Sequence, residues 1–289
     1  MKRNGAARRS DYARALNELS MRTVRARYRA IRDDIGELHT WRPLPNDRVS
    51  QIDPFLFLNH HGPQVYPPHN RGLPFGPHPH RGFETVTFIV DGSLTHRDSG
   101  GHESTITAGG VQWMTAGRGL EHAEISPQEF LDHGGPLEIL QLWVNLPSRL
   151  KMTEPRYVGL QRDQIPSVEH DRVTLHPIPI ESLTGVRMMT IDFKPQGRIT
   201  LDAPHDRNVF FYIVRGELDI GSAFHLIDFN DDGDQIEVEA KTDALVIFGH
   251  AHPIDEPVVA YGPFVMNTRE EIVQAIEDYQ SGRFSSRGG

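Results

Sequence analysis

The sequence of 289 residues contains no cysteine. Disulfides, thiolate metal sites, iron–sulfur clusters and cysteine nucleophiles are therefore excluded, and any bound metal must be held by nitrogen and oxygen atoms. Long apolar runs are also lacking, because no stretch is long enough to cross a bilayer and no short apolar core of the secretory type lies near the start. These absences predict a cytoplasmic protein without membrane contact.

Basic residues are fewer than acidic ones, with 30 Lys and Arg against 39 Asp and Glu, so the formal net charge at pH 7 is -9. A protein that is drawn electrostatically to nucleic acid normally carries a basic face. We therefore expect no direct nucleic-acid partner, although a local basic patch is compatible with the overall charge. An acidic protein of this kind is better suited to protein partners than to DNA.

The start of the chain is an exception, because basic side chains are concentrated there. They are Lys2, Arg3, Arg8, Arg9, Arg14, Arg22, Arg25, Arg27, Arg29 and Arg32. An interaction arm or an organelle-targeting peptide would have this composition, but Asp11 and Glu18 disfavour the targeting interpretation. We predict that residues 1–35 form a basic, flexible and partly helical extension, with Met21 as an alternative initiator.

Glycine and proline are abundant, with 26 and 21 residues. This composition favours many short strands joined by turns. Residues 83–90 form a β-rich run that ends in Asp91-Gly92, a hairpin turn signal. Residues 108–119 are punctuated by glycines, as at barrel corners where the backbone bends sharply. The chain is long enough for two compact domains, and we predict an all-β fold.

Two pairs of polar residues share the same spacing. His78 and His80 are two residues apart, and so are His122 and Glu124. Residues two apart on a strand point to the same face, so each pair would present its side chains together. If the two faces meet inside a barrel, three imidazoles and one carboxylate converge, a ligand set that suits a divalent transition metal. A single His-x-His pair, taken alone, is better explained by loop or core residues, because short motifs match by chance.

Longer motifs surround these pairs. They are PHPHRGFETVT at 77–87, THRDS at 95–99, VQWMTAGRG at 111–119, LWVNLP at 142–147, MTEPRY at 152–157 and EPVVAYGPFVMNT at 256–268. Together with His122 and Glu124 they resemble the pirin family of bicupin proteins, and the resemblance runs from about Asp53 to the C-terminal helix. The loop before the first motif departs from the family pattern, which usually has an acidic residue near Asn59 or His60.

The resemblance implies two cupin-type antiparallel β-barrels of the jelly-roll kind, followed by a short C-terminal helix. We place the metal-binding barrel at residues 36–150 and the second barrel, without the ligand set, at residues 151–289. In such proteins the matching residues, here His78, His80, His122 and Glu124, hold iron. Fe(II) is expected, and Mn, Co, Ni, Cu and Zn are compatible with the same ligands.

The second half resembles a degenerate copy of the first, because residues 212–218 parallel residues 88–94 at an offset of 124. The offset places Asp202 and Pro204 where the first half has its His-x-His pair. A single metal site is therefore expected. Other histidines are candidate substitutes or pocket-rim residues, and we favour ordinary loop or pocket roles for them. They are His60, His61 and His69 in the first half and His205, His250 and His252 in the second.

Two helix starts are visible. In Ser126-Pro127-Gln128-Glu129, Ser126 is predicted to cap a short helix with Pro127 at its first position. Thr268 to Glu271 is a capping box that begins an amphipathic helix, which we expect to pack over the second barrel or to face a partner. Residues 148–170 are the predicted crossover between the barrels.

The resemblance implies a quercetin 2,3-dioxygenase type of activity, with a small aromatic substrate and dioxygen. Glu124 would then be both a ligand and the general base that takes the flavonol proton. An apolar pocket would suit such a substrate, and the side chains near the ligands are as well explained as barrel core. These side chains are Phe75, Phe83, Trp113 and Met114. The alternatives are a non-catalytic, iron-dependent regulator that binds a transcription factor or metabolic enzyme, and a storage-type barrel stabilised by its metal. We expect a monomer.

Overall fold

The structure, a computed structural model, describes residues 20–284. The strands up to residue 160 are β1 (Val24–Arg29), β2 (Ile31–Arg32), β3 (Thr40–Leu44), β4 (Phe55–Tyr66), β5 (Phe75–His80), β6 (Phe83–Asp91), β7 (Ser93–Asp98), β8 (Glu103–Thr107), β9 (Val111–Thr115), β10 (Leu120–Ile125), β11 (Gly135–Asn145) and β12 (Arg156–Leu160). Those that follow are β13 (Val168–His170), β14 (Val173–Pro177), β15 (Arg187–Phe193), β16 (Arg198–Asp202), β17 (Asn208–Arg215), β18 (Glu217–Leu218), β19 (Gly221–Ser222), β20 (His225–Phe229), β21 (Gln235–Glu239), β22 (Ala244–Ala251), β23 (Val259–Tyr261) and β24 (Phe264–Met266). The α-helices are α1 (Gln128–His133) and α2 (Arg269–Gln280), and single 3-10 turns span Ser148–Leu150 and Arg162–Gln164.

The first barrel consists of two antiparallel sheets. The larger has the order β12-β9-β6-β11-β4-β3-β2, and the smaller has the order β5-β10-β7-β8. Strand β6 is buried along most of its length on both faces. One face lines the barrel interior and the other packs on the second barrel, which explains why the strand is buried on both faces although Glu84, Thr85 and Thr87 are polar.

The two barrels share a hydrophobic core between them. The first barrel contributes Val86, Phe88, Leu140 and Leu142, and the second contributes Phe210, Tyr212 and Ile247. Burying apolar area of this kind is the main favourable term in association, so the contact fixes one barrel against the other. The larger sheet of the first barrel therefore separates a polar, site-bearing interior from this shared core.

The second barrel has a seven-stranded sheet in the order β1-β20-β17-β22-β15-β14-β13 and the smaller pairs β16-β21 and β18-β19. Its interior is apolar. The side chains include Ile191, Phe193, Leu201, Phe211, Ile213, Ile227, Ile236, Val238, Val246 and Phe248. The predicted all-β fold with two antiparallel barrels and a C-terminal helix is confirmed.

The structure differs from the predicted boundaries at two places. Residues 24–29 are not a flexible extension, because β1 pairs with β20 at the edge of the second barrel. Its arginines alternate with half-buried residues, so the basic run is the solvent face of an edge strand. Residues 156–160 belong to the first barrel, because β12 pairs with β9. Residues 31–32 of the predicted extension form β2, which pairs with β3 of the first barrel, and residues 1–19 lie outside the described residues.

The C-terminal segment packs on the first barrel, so the prediction that it packs on the second was wrong. Arg81 forms a bridge with Phe264 of β24, and its Nη1 lies 2.8 Å from Asp278 Oδ2 on α2. The predicted capping box is confirmed, because Glu271 N donates to Thr268 Oγ1 at 3.2 Å and Thr268 N donates to Glu271 Oε2 at 2.9 Å.

The short helix α1 begins one residue later than predicted. Pro127 occupies the N-cap position, and no side chain caps the helix there. Ser126 instead uses its Oγ to accept a hydrogen bond from Leu73 N at 3.1 Å, which ties the helix entry to the loop before β5. Among residues 20–284, no helix is long and apolar enough to span a membrane.

Candidate metal centre

Three of the four predicted ligands lie together on the smaller sheet of the first barrel. Strands β5 and β10 are antiparallel neighbours, and His122 stands directly opposite His78. The ring centroids of His78 and His122 are 4.4 Å apart, and His80 lies 4.9 Å from each. One nitrogen of each ring lies within 4.8 Å of the others. The two-residue spacing on β5 therefore brings its histidines to the face predicted from the sequence.

Each of these histidines turns one ring nitrogen toward a protein partner. His78 Nδ1 lies 2.7 Å from Gly76 O, and His80 Nδ1 lies 3.4 Å from Pro263 O. His122 Nδ1 lies 3.4 Å from His96 Nδ1. These contacts leave the Nε2 atoms free, and those of His80 and His122 are buried without a hydrogen-bond partner. Buried polar atoms normally have a partner, so the ring nitrogens fit a metal held between them.

The surroundings also favour the neutral form that binds metals. Burial, and to a smaller degree the neighbouring His78, lowers the pKa of His80 to about 3. Burial holds the pKa of His122 well below its usual value, and the nearby histidines add to the effect. A neutral imidazole has a lone pair for a metal at neutral pH, so no proton has to be displaced from these two rings.

Glu124 is buried on β10 but is not part of the histidine group. Its carboxylate accepts a hydrogen bond from Thr87 Oγ1 at 3.2 Å and others from the side-chain amides of Gln112 and Gln141. The pairing of β10 with β5 shifts register between His122 and Glu124, so the simple two-residue period is interrupted there. The assignment of Glu124 as fourth ligand stays a prediction.

A row of polar side chains crosses the barrel interior next to Glu124. Asn59, Gln141, Thr87 and Gln112 stand directly opposite one another on β4, β11, β6 and β9. Residues paired in this way project to the same face of a sheet. Asn59 Oδ1 is buried without a partner. The interior around Glu124 is therefore lined by amides and hydroxyls rather than by hydrocarbon.

Aromatic rings also lie next to the histidines, beside His80. His80 lies 5.0 Å from Phe83 and 5.3 Å from Trp143, measured between ring centroids. Trp143 in turn stacks on Phe57 at 4.6 Å. Phe83 was predicted as a pocket residue, whereas Trp143 and Phe57 were missed. The signal that could have found Trp143 is the LWVNLP motif at 142–147, which contains it.

Of the other predicted pocket side chains, Trp113 faces away from the barrel interior, whereas Phe75 stands opposite Glu124 and Met114 stands opposite Thr85. Trp113 belongs to the core shared by the barrels, because odd-numbered and even-numbered positions of β9 face opposite ways. Phe75 packs against His61 with ring centroids 5.1 Å apart. Met114 packs with Ala116 and Leu120 in a small buried cluster.

No role was predicted from the sequence for three further residues, His96, Asp98 and Tyr157. His96 Nε2 lies 2.9 Å from Asp98 Oδ2, and the His96 ring stacks on Tyr157 with centroids 4.1 Å apart. Strand β7 is the neighbour of β10 on the side away from β5, and His96 stands opposite Glu124. The His-x-Asp spacing within THRDS was the available signal, because it repeats the two-residue period of the ligands.

The remaining candidate histidines have other surroundings. His60 is buried between the barrels rather than on a pocket rim, with Nε2 2.7 Å from Glu138 Oε1 and Nδ1 3.0 Å from Tyr212 Oη. His61 is also buried, with Nδ1 2.9 Å from Thr40 Oγ1. Within residues 20–284, the grouping of three or more candidate ligands occurs only at His78, His80 and His122.

An arginine occupies the mouth of the second barrel. Arg22 is buried, and its Nε donates to Ala203 O at 2.8 Å and to Gly233 O at 3.1 Å. Its other nitrogens donate to the carbonyls of Asn230 and Arg207 at 3.3 and 2.9 Å and to that of Pro204. The carbonyls of Ala203 and Pro204 directly follow β16, and the sequence offset of 124 aligns this segment with His78 and His80. A side-chain cation from the N-terminal segment therefore binds the segment of the second half that aligns with the His-x-His pair.

Comparison with known proteins agrees with this architecture. The family model described as Pirin matches residues 37–144, and the model described as Pirin C-terminal cupin domain matches residues 188–285. A pirin-like protein of Solanum lycopersicum is 41% identical over 261 residues, which cover 84% of this chain and 85% of that protein. Pirin of Homo sapiens is 37% identical over 265 residues, with 84% of this chain and 86% of that protein covered.

A solved structure gives the same result for the fold. Quercetin 2,3-dioxygenase from Acinetobacter baumannii superposes with a TM-score of 0.85 at 32% identity, covering 92% of this chain and 99% of that one. The agreement extends over both barrels, and the two family models match the two halves in order. The chain therefore belongs to the pirin family.

Proposed function

We propose that this protein is a dioxygenase of the quercetin 2,3-dioxygenase type, which uses one divalent metal, Fe(II), to cleave the central ring of a flavonol with release of carbon monoxide. The observation that carries the proposal is the convergence of His78, His80 and His122, with two buried Nε2 atoms that have no protein partner. The Acinetobacter quercetin 2,3-dioxygenase, whose structure aligns over almost the whole chain, supports the choice of reaction.

The three histidines would hold the metal through their Nε2 atoms, and Glu124 would be the fourth ligand. When bound, the metal supplies Lewis acidity and the redox chemistry needed for dioxygen, which ordinary side chains do not provide. With no cysteine in the chain, the ligand set is limited to nitrogen and oxygen. Four protein ligands leave coordination positions open on a metal that accepts five or six.

The side chains around the histidines have two roles in this scheme, substrate binding and proton transfer. Trp143 is partly exposed and offers flat apolar surface beside His80, which suits an aromatic ring system, and the buried ring of Phe83 packs against Trp143. Glu124 is the general base in this scheme, and takes the proton of the flavonol hydroxyl. Its partners are neutral donors. Thr87 and Gln112 both donate to Oε1, whereas Oε2 accepts only from Gln141, so Oε2 is the oxygen with a lone pair left for that proton.

The role of Glu124 is tested by Glu124→Gln. The variant keeps the three histidines, so it should retain most of the metal, and its turnover of quercetin should fall by at least about 100-fold because the base is lost. Oxygen uptake and metal content are measured on the same preparation. Glu103→Gln is the matched control, because Glu103 is exposed on β8 and should leave both quantities unchanged. Turnover at the wild-type rate in Glu124→Gln would show that Glu124 is not the general base.

The activity itself is tested by elemental analysis of the isolated protein together with oxygen uptake and carbon monoxide release on a panel of flavonols. Iron in about one equivalent and uptake with at least one flavonol are expected. A protein that is fully loaded with iron but consumes neither oxygen nor any flavonol would overturn the dioxygenase proposal and would favour the regulator alternative.

A further inference from the structure

His122 differs from the other two histidines in the partner of its Nδ1 atom. His78 and His80 face backbone carbonyls, which only accept hydrogen bonds, so their Nδ1 atoms must carry the proton. His122 faces the Nδ1 atom of His96 at 3.4 Å. An imidazole nitrogen is a donor in one tautomer and an acceptor in the other. The tautomer of His122 therefore depends on that of His96.

Asp98 decides the tautomer of His96. Its Oδ2 lies 2.9 Å from His96 Nε2, and an ionised carboxylate only accepts hydrogen bonds. His96 must then carry its proton on Nε2, which leaves His96 Nδ1 as an acceptor for His122 Nδ1. The consequence is that His122 Nε2, which is buried and without a partner, has a free lone pair. The hydrogen-bond donors and acceptors are therefore assigned consistently from Asp98 through His96 to His122.

The pair is fixed and shielded from water. The side chain of His96 is 0% exposed and that of Asp98 is 1% exposed. Asp98 Oδ1 also accepts a hydrogen bond from His102 N at 3.0 Å, which closes the turn between β7 and β8. The ring of His96 lies nearly parallel to that of Tyr157, with an interplanar angle of 13°. In a buried network of this kind, each hydrogen bond is stronger than in water.

We propose that His96 and Asp98 are positioning residues that hold His122 in the tautomer able to bind the metal, with the carboxylate acting through an intervening imidazole. The inference rests on the proposed metal centre but not on its dioxygenase activity. In metal sites generally, the partner of a ligand histidine fixes its orientation, and the loss of that partner weakens metal binding by about 10–100-fold.

The first test is metal affinity, with Co(II) as the probe and a competing chelator to set the free concentration. His96→Leu removes the acceptor and should weaken Co(II) binding by about 10–100-fold. Asp98→Asn offers an amide donor as well as an acceptor, so either tautomer of His96 can pair with it. This substitution should therefore also weaken Co(II) binding. His96→Gln keeps one acceptor and one donor and should restore part of the affinity. His133→Leu is the control, because His133 is exposed on α1.

The second test is the tautomer itself, read by long-range 1H–15N NMR on the metal-free wild-type protein. A proton on Nδ1 of His122 and on Nε2 of His96 is expected. A proton on Nε2 of His122 would overturn the proposal even if a variant fails to fold. Wild-type Co(II) affinity in both His96→Leu and Asp98→Asn would overturn it as well. Neither measurement uses turnover, so a protein that binds metal but consumes no oxygen would refute the dioxygenase alone.

Discussion

At the scale of single residues, Glu84 is the least expected feature of the first barrel. Its side chain is buried near the contact between the barrels, and only Oε1 has a hydrogen-bond partner, Thr115 Oγ1 at 2.7 Å. Burial raises the pKa of this carboxyl, and the hydrogen bond from Thr115 offsets only part of the effect. An ionised carboxylate with an unpaired oxygen is costly in such surroundings, so the protonated form is favoured.

Glu84→Gln should therefore change how stability depends on pH. Because the pKa of Glu84 is higher in the folded state than in the unfolded state, its contribution is fully present below the unfolded value of about 4.5 and is lost as the pH rises through the folded value. Between pH 5 and 8 the wild type should lose more free energy of unfolding than Glu84→Gln, measured by urea unfolding. Glu154→Gln, at an exposed position, should follow the wild type. Parallel pH profiles for wild type and Glu84→Gln would contradict the assignment.

At the scale of elements, the C-terminal segment from β23 to α2 closes over the turn between β5 and β6. Gly82 in that turn has a φ of 89°, and a Cβ there would lie 1.9 Å from Val265 O, so only glycine allows the approach of β24. Lys151 is buried beside it and donates to Gly82 O at 2.9 Å and to Val265 O at 3.0 Å. Burial lowers the pKa of Lys151 to about 8. A carbonyl of the same segment, that of Pro263, faces His80.

Thr268→Ala should loosen this segment. The substitution removes the side-chain oxygen that caps α2, which costs about 1 kcal/mol. Amide hydrogen exchange within residues 269–280 should become faster, while exchange in the second barrel should be unchanged. Gln280→Ala, at an exposed position in the last turn, is the control. Equal exchange of α2 in Thr268→Ala and wild type would show that packing alone holds the helix.

At the scale of the whole molecule, the two halves exchange segments. Strand β1 near the start of the described chain belongs to the second barrel, and the segment from β23 onward belongs to the first. Tyr28 of β1 also packs against the core between the barrels. Each barrel is therefore completed by residues from the other half of the chain, which makes independent folding of the halves unfavourable.

Removal of residues 1–35 tests this interlocking. The deletion takes away β1 and the buried guanidinium of Arg22, and should lower the free energy of unfolding by at least about 3 kcal/mol, because a sheet edge is exposed and several carbonyls lose their donor. Removal of residues 1–19 is the control, since it leaves β1 and Arg22 in place. Thermal and urea unfolding would be compared with the full chain. Equal stability of the two deletions would contradict an essential role for β1.

Features that depend on local geometry follow from the amino-acid sequence alone. His78 and His80 share a face because side chains alternate along a strand, and the absence of cysteine limits the ligands to nitrogen and oxygen. The capping box at Thr268 could also be predicted, because its contacts span only three residues. The family resemblance supplied the two-barrel fold, which periodicity alone would not give.

The contacts between distant segments depend instead on how the strands pair and pack in three dimensions. Trp113 faces the second barrel instead of the pocket, and His96 reaches His122, because strands remote in sequence pair in one particular order. A register shift separates Glu124 from the histidines, and no local pattern marks it. Strand β1 and helix α2 each pack on the barrel formed mainly by the other half. The physical reason is that a strand's own pattern fixes which residues share a face, whereas the partner of that face depends on burial and pairing across the whole chain.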